Sequence, residues 1–345
     1  MEPAPTDEAA SGVDDREGAV VVAESWQSPF QREDNVDSVA FWQGESEGQE
    51  VAWILATGKD SHDLLVYDAT SGELVRRVGG EGEGAGEFQR PNGVMVLGDR
   101  AWVVERDNHR VQVLSLPGFD NVTFLGADSL RQPYGLTLFE RAPGTVELYV
   151  TDSYMTQDKE VPSPEQLDER VKHFTVSLAA DGAPEVMAQR AFGATSGIGM
   201  LAQVESLLAD PAAQRLLIAD EHESGMTLKV YTLEGEFTGE QVGEGHFFHE
   251  AEGVALRSCG ETEGYWIATD QARDRSLFRV FDRASYEYLG TFQGELTANT
   301  DGVIHTSEAF GEFPQGAFFT VHDDRGVTAF DWQQIASAMG LSGDC

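Results

Sequence analysis

The sequence predicts an all-β fold: a single six-bladed β-propeller followed by a short C-terminal helix. Short runs rich in Val, Ile, Leu and aromatic residues recur along the chain, and Gly, Asp and Asn turn signals separate them. Units of such runs begin roughly every 45 to 70 residues, a period typical of propeller blades with loop insertions. Six units of about four short strands would close a ring with only short, protected edges.

We assign residues 25–345 to the propeller and residues 1–24 to a flexible, acidic N-terminal tail. Strand-like runs are expected at residues 51–56, 64–67, 148–151, 171–178, 204–209, 216–219, 227–233, 253–256, 265–269, 276–281, 288–292, 317–321 and 326–330. Two stretches have helical patterns, SPEQLDER at 163–170 and DWQQIASAM at 331–339. Neither is long enough to found a second domain.

Charge is the strongest compositional signal. Sixty Asp and Glu residues stand against 23 Lys and Arg, giving a formal net charge of −37, and only four of the basic residues are lysines. Such a surface repels nucleic acid and anionic lipid, because phosphates need Lys or Arg for neutralisation. It suits salt-rich surroundings, where charge is screened, and hard cations such as Ca²⁺. We expect a monomer that has no nucleic-acid partner and does not insert into a membrane, since no apolar run approaches ~20 residues.

The N-terminus and the cysteines bear on localisation. The first 18 residues have neither a basic nor an apolar segment of a signal peptide, so we expect a secreted or periplasmic protein whose signal has been removed. Cys259 and Cys345 allow one disulfide, which would require an oxidising compartment. Two unpaired thiols are the alternative.

Polar residues recur where each unit begins, which is where inner strands meet at the channel mouth of a propeller. The candidates are Asp37, Arg90 with Asn92, Tyr134, Glu205, Glu252 and Asp301, with Lys59, Asp220, Glu221, Glu250, Asp270 and Glu295 close to them in sequence. Carboxylates aimed at one axis repel each other unless cations lie between them, and Ca²⁺ takes six to eight oxygen ligands. The alternative is that these acids face solvent or pair locally.

Two family resemblances follow from longer motifs. Residues 78–116, with GEF, RPNGV and ERDNHRVQVL, resemble an NHL repeat, one blade of a β-propeller. Residues 250–340 resemble the C-terminal third of the β-propeller phytases. The motifs that carry this resemblance are ExEGV, GYWIAT, SLFRVFDR, YLGTF, TDGV, FPQGAFFTVHDD and WxxIAxAxGL, the last of which runs to Leu341. Earlier segments resemble the same family: DSVAFW at 37–42, ATGKDSHDLLVYD at 56–68 and VESLLADPAAQRLLIADE at 204–221.

The phytase resemblance implies a calcium-dependent phosphomonoester hydrolase of the 3-phytase type, acting on phytate or a related small phosphate ester through a water activated by bridging Ca²⁺. It implies calcium ligands at Asp37, Glu205, Asp220, Glu221, Glu250, Glu252, Glu295 and Asp301. It implies a reacting site at Lys59, Arg90, Tyr134 and Glu205.

The chain departs from the phytase pattern at several positions. Paired aspartates become Asp37-Ser38, a double lysine becomes Gly58-Lys59, and a further expected lysine is replaced within Asp152-Ser153. Each missing cation would weaken phosphate binding by roughly 1.5–3 kcal/mol if it made a charge-assisted hydrogen bond. Two other functions therefore stay open: a non-catalytic NHL-type propeller that binds a protein or glycan, and a lactonase-like calcium hydrolase.

Overall fold

The computed structural model describes residues 18–30, 33–178, 183–223 and 225–343. Two short strands precede the blades, β1 (Val20–Val21) and β2 (Trp26–Gln27). Blades 1 to 3 contain β3 (Val36–Ser46), β4 (Gln49–Gly58), β5 (Asp63–Asp68), β6 (Leu74–Gly79), β7 (Pro91–Leu97), β8 (Arg100–Glu105), β9 (Arg110–Ser115), β10 (Asn121–Leu125), β11 (Pro133–Ala142), β12 (Thr145–Asp152), β13 (Val171–Ser177) and β14 (Glu185–Phe192). Blades 4 to 6 contain β15 (Val204–Asp210), β16 (Arg215–Asp220), β17 (Thr227–Thr232), β18 (Phe237–Val242), β19 (Glu250–Cys259), β20 (Glu263–Ala272), β21 (Arg275–Asp282), β22 (Tyr288–Gln293), β23 (Val303–Thr306), β24 (Ala317–His322) and β25 (Gly326–Asp331), and α1 (Trp332–Met339) ends the fold.

The six sheets form a closed ring, which confirms the predicted six-bladed propeller. Each blade is an antiparallel meander, and the inner strands β3, β7, β11, β15, β19 and β23 contact one another in that order before β23 returns to β3. The N-terminal β2 pairs antiparallel with β25 and so supplies the outermost strand of blade 6. The last blade is thus built from both ends of the propeller sequence, which closes the ring.

The core lies between blades, one apolar cluster at each of the six blade interfaces. Successive side chains of a strand point to opposite faces, and both faces of a blade are covered. In β5, Leu64 and Val66 pack toward blade 2, whereas Leu65 and Tyr67 pack toward blade 6. This two-sided burial explains why the middle strands are continuous apolar runs rather than alternating ones.

The N-terminal segment is joined to the propeller upstream of residue 24, the expected end of the tail. Val20–Val21 forms β1, which pairs in parallel with β22 and adds a fifth strand to blade 5. The Glu24 carboxylate accepts hydrogen bonds from the backbone N–H groups of Glu295, Leu296 and Thr297. Strand pairing and a carboxylate cap therefore fix residues 20–24 against blade 5.

The two predicted helices differ in outcome. Asp331 caps α1 by accepting from Gln333 N–H at 3.0 Å, and Gly340 ends the helix in the left-handed conformation. Trp332 and Ile335 bury the apolar face of α1 against blades 5 and 6. Residues 163–170 form only one 3₁₀ turn, Pro164–Gln166. None of the three residues of this turn is buried, so the turn has no apolar face that would pack a longer helix against the blades.

Two remaining expectations concern localisation. No helix in the described part of the chain has the length and hydropathy of a membrane span. Cys345, the expected disulfide partner of Cys259, lies outside the described residues.

Candidate metal centre

The channel mouth is built by a β-bulge repeated in the inner strands. The pairing of inner and second strand shifts register at Val36/Val39, Pro91/Val94, Pro133/Leu136, Val204/Leu207 and Ala251/Val254. Bulges redirect side chains and are common beside functional sites. The first bulged residue of each blade, with the corresponding residue of blade 6, forms a ring of one polar side chain per blade: Asp37, Asn92, Tyr134, Glu205, Glu252 and Asp301.

The second bulged position holds only Gly or Ser, because the inner strands approach one another closely there. A Cβ added at Gly135 would lie 2.2 Å from the carbonyl oxygen of Glu205, and one at Gly253 would lie 2.4 Å from that of Asp301. Below the ring, these small residues line a narrow axial cavity of about 70 Å³. The polar ring therefore lies above a nearly closed axial channel.

Three carboxylates converge in one half of the mouth. Glu205, Glu221 and Glu252 each offer an oxygen, and these atoms all lie within 4.8 Å of one another. Glu221 and Glu252 are 7% and 3% exposed. Gln203 Nε2 donates to Glu221 Oε2 at 2.9 Å, while Glu221 Oε1 has no hydrogen-bond partner among the described residues.

A buried ion pair occupies the other half of the mouth. Lys59 Nζ lies 2.6 Å from Asp37 Oδ1 and donates to the Tyr134 hydroxyl at 3.2 Å. That hydroxyl donates to Asp37 Oδ1 at 3.1 Å. Both side-chain polar atoms of the fully buried Asn92 are without a partner in the described part of the chain.

Asp301 joins the two halves and brings in a further acid. Its Oδ1 accepts from Gln271 Nε2 at 3.2 Å, and its Oδ2 has no partner among the described residues. The Asp324 carboxylate, from the turn after β24, accepts from Asn299 Nδ2 at 3.1 Å, and its charge contributes to the raised pKa of Asp301.

Four acids of the mouth hold protons more tightly than ordinary carboxyls: Glu205, Glu221, Glu252 and Asp301. Burial, and then the charge of Asp37, raises the pKa of Glu205 to about 8. Burial and the neighbouring acids likewise raise the pKa values of Glu221, Glu252 and Asp301. Burial alone would lower the pKa of Lys59, but Asp37 and Asp301 raise it above its usual value, so Lys59 is a permanent cation. Without a further cation these carboxylates carry an unfavourable concentration of charge.

The remaining predicted residues lie around this centre at different distances. Glu250 is exposed at the start of β19, and its charge contributes to the raised pKa values of Glu205 and Glu221. Arg90 lies at the rim, where its guanidinium pairs with Asp60 at 2.7 Å. Glu295 is exposed in the loop after β22, tied through its backbone to Glu24.

Asp220 has a different environment from its neighbour Glu221. Its carboxylate accepts from the backbone N–H groups of Ala202, Gln203 and His222 at 3.0–3.1 Å. Asp152 and Asp270 stand at the same register position in blades 3 and 5, and both accept backbone N–H groups from the loop that enters their blade. Asp220 therefore braces a loop, whereas Glu221 points into the centre.

Sequence reasoning missed Asp324 and the two glutamines that orient the acids, Gln203 and Gln271. A signal for them exists in the strand register. In each blade with a bulge, one residue of the second strand pairs with the inner-strand residue just before the bulge. The next residue along the chain lies at the mouth in several blades and is Lys59 in blade 1, Glu221 in blade 4 and Gln271 in blade 5. Asp323 and Asp324 follow β24 in the corresponding turn of blade 6.

Comparisons with known proteins bear on the fold. No family model and no curated protein sequence matches this chain. Among solved structures, the Kuenenia stuttgartiensis hydrazine synthase aligns over 88% of this chain and 97% of its own, with 10% identity and a TM-score of 0.50. A chain of a nidogen/laminin complex aligns over 76% of this chain and 82% of its own, with 12% identity and a TM-score of 0.44. At such identity the first likeness supports the propeller fold alone.

Proposed function

We propose that the channel mouth binds calcium and that the protein is a calcium-dependent hydrolase of phosphate monoesters. The observation that carries this proposal is the convergence of Glu205, Glu221 and Glu252 within 4.8 Å beside a buried lysine. Three carboxylates so close together are strongly destabilising unless protonated or bridged by a cation. The partnerless oxygens of Glu221 and Asp301 are free acceptors of the hard kind that Ca²⁺ prefers.

The donor set fits calcium better than a transition metal. The three converging ligand atoms are all carboxylate oxygens, with no histidine nitrogen or thiolate in that group. Further oxygens of Asp301 and Glu250 stand nearby, and Ca²⁺ accepts such irregular, oxygen-rich surroundings. When bound, the ion would polarise a phosphoryl oxygen and lower the pKa of a coordinated water.

The opposite half of the mouth supplies the groups that hold a phosphate. Lys59 keeps its charge and uses donors on Asp37 and Tyr134, which leaves one ammonium donor for a phosphate oxygen. Burial and the nearby acids raise the pKa of Tyr134 well above its usual value, so its hydroxyl stays a donor throughout the physiological range. Lys59 would orient a phosphate against the acidic half, while Tyr134, whose O–H donates to Asp37, helps to hold the ammonium in place.

Phosphate release from p-nitrophenyl phosphate tests this proposal, with calcium titrated against a chelator and thermal unfolding followed in parallel. We expect calcium-dependent release and a melting temperature that rises with calcium, because a ligand that binds only the native state stabilises it. Calcium-independent stability together with no release at any salt concentration would overturn both parts of the proposal. A rise in melting temperature without release would leave a calcium-binding propeller and remove the hydrolase.

A further inference from the structure

A cavity of about 710 Å³ opens beside the metal centre, between blades 4 and 5. It is lined by the turn after β16, the start of β19 and the turn after β20, including Glu221, His222, Glu223, Glu250, Arg273 and Asp274. Glu221 belongs both to this cavity and to the converging carboxylates. A molecule whose reacting group lies at the centre can therefore extend into the cavity.

The lining is acidic. Among the described residues that line it, four side chains are carboxylates, and the one guanidinium, Arg273, is exposed to solvent. Arg275, next to the lining, lies 3.9 Å from Asp274. The buried cation of the mouth, Lys59, lies across the ring and is already paired with Asp37. The mouth is thus divided into a half suited to a phosphate and a cavity unsuited to further negative charge.

Bound calcium would not remove this asymmetry. An ion held by Glu205, Glu221 and Glu252 offsets the charge of those three residues, whereas Glu223 and Asp274 are exposed and lie outside that group. Glu221 lines this cavity and is also one of the converging carboxylates, and its buried Oε1 has no hydrogen-bond partner among the described residues. Acids and cavity thus coincide at one place beside the centre.

We infer that this cavity receives the alcohol half of the substrate and selects neutral or cationic alcohols over anionic ones. This inference rests on the proposed phosphatase function and narrows its substrate class. Small monophosphates whose alcohol carries no carboxylate or second phosphate are the favoured substrates, and polyphosphorylated compounds such as phytate are poor ones. Glu223, Glu250 and Asp274 are the specificity-determining residues.

A matched series of substrates tests the inference. Choline phosphate, glycerol 3-phosphate and 3-phosphoglycerate have alcohols of similar size whose charges are +1, 0 and −1. At pH 8, low salt and fixed free calcium, we expect kcat/KM to fall in that order, by roughly tenfold or more from first to last, because each charge interacts with several carboxylates at short range. High salt should compress the series, since exposed charges are screened.

A charge-reversal variant assigns the effect to the cavity. Glu223→Lys should reduce the preference for choline phosphate over 3-phosphoglycerate by roughly fivefold or more. Glu50→Lys, the same change on an exposed residue near the far end of β4, should leave that ratio unchanged. Equal or reversed rates along the series, or equal effects of both variants, would overturn the inference while leaving the phosphatase intact. No calcium-dependent release from any of the three esters would overturn the phosphatase and the inference together.

Discussion

The two halves of the channel mouth share one backbone and differ in chemistry. In blades 1 to 3 the ring position holds Asp37, Asn92 and Tyr134, and Lys59 neutralises the single acid. In blades 4 to 6 the same position holds Glu205, Glu252 and Asp301, to which Glu221 adds a further carboxylate. One half is balanced by the protein's own lysine, and the other lacks an equivalent cation among the described residues that line it.

This difference shows that the fold determines where the polar side chains of the mouth lie, whereas their chemical type determines what each half of the mouth can bind. A β-bulge and a small second residue recur around the ring, so every blade offers one inward-facing polar site. Chemistry arises where acids accumulate without an internal counter-charge. Changes in the acidic half should therefore affect cation binding, and changes in the basic half should affect phosphate binding.

The largest expected effect comes from neutralising an acid of the acidic half. Glu252→Gln should weaken calcium binding by roughly 100-fold or more, because charge count and ligand number set calcium affinity. Isothermal titration calorimetry measures it directly. Glu295→Gln is the matched control, since Glu295 is exposed and tied to Glu24 rather than to the ring. Equal losses in the two variants would contradict the placement of the centre.

A smaller effect is expected from the basic half. Lys59→Met should lower kcat/KM for a phosphate ester by roughly 10- to 100-fold, the range of one charge-assisted hydrogen bond. Calcium affinity should stay the same or rise, because a neighbouring positive charge has been removed.

The control for the basic half is Lys229→Met. Lys229 is a buried lysine of blade 4 that donates to Gln241. Its loss should leave kcat/KM within about twofold of the unaltered protein, apart from any effect on stability. A loss of calcium binding in Lys59→Met would contradict this division, because it would show that the basic half also takes part in calcium binding.

Asp220 and Glu221 are adjacent acids for which we expect different roles, one in stability and the other in calcium binding. Asp220→Asn should lower the free energy of unfolding by about 2 kcal/mol, because a buried carboxylate loses charge-assisted bonds to three backbone N–H groups. Calcium affinity measured on the folded variant should not change. Glu221→Gln should instead weaken calcium binding and leave the free energy of unfolding nearly unchanged. Chemical denaturation measures the stability of each variant, and calorimetry measures its calcium affinity. A variant of Asp220 with native stability and weak calcium binding would place that residue in the centre.

The last expected effect is a pH trend in stability. The pKa of Glu205 is about 8 in the native protein and near 4.5 in the unfolded chain. The native state therefore binds more protons between these values, and its stability falls as pH rises through that window. In chelator, the melting temperature should decline between about pH 5 and pH 8, and Glu205→Gln should make that decline smaller.

Calcium should reverse the pH trend. The ion replaces protons on the carboxylates, so its stabilising effect should grow with pH across the same window. If calcium raised the melting temperature by the same amount at every pH, this result would argue against carboxylate ligands with raised pKa values.

Much of the fold and part of the site could be predicted from the sequence. Two-sided burial of the middle strands produces apolar runs, and the bulge with its small residue produces the recurring signatures around Asp37, Glu252 and Asp301. Side chains of adjacent strand residues point in opposite directions, so separating Asp220 from Glu221 needs the register to one residue. That register becomes visible only once the strands are paired. The role of Glu24 was equally hidden, because β1 is two residues long and carries no pattern.

The most direct test of the account is a crystal structure of the protein grown with calcium. We expect an ion between Glu205, Glu221 and Glu252, bound to an oxygen of each at about 2.3–2.6 Å, with Lys59 still paired to Asp37 across the ring. An ion-free centre at saturating calcium, or calcium bound only at exposed acids elsewhere, would contradict the claim that the acidic half of the mouth is a metal centre.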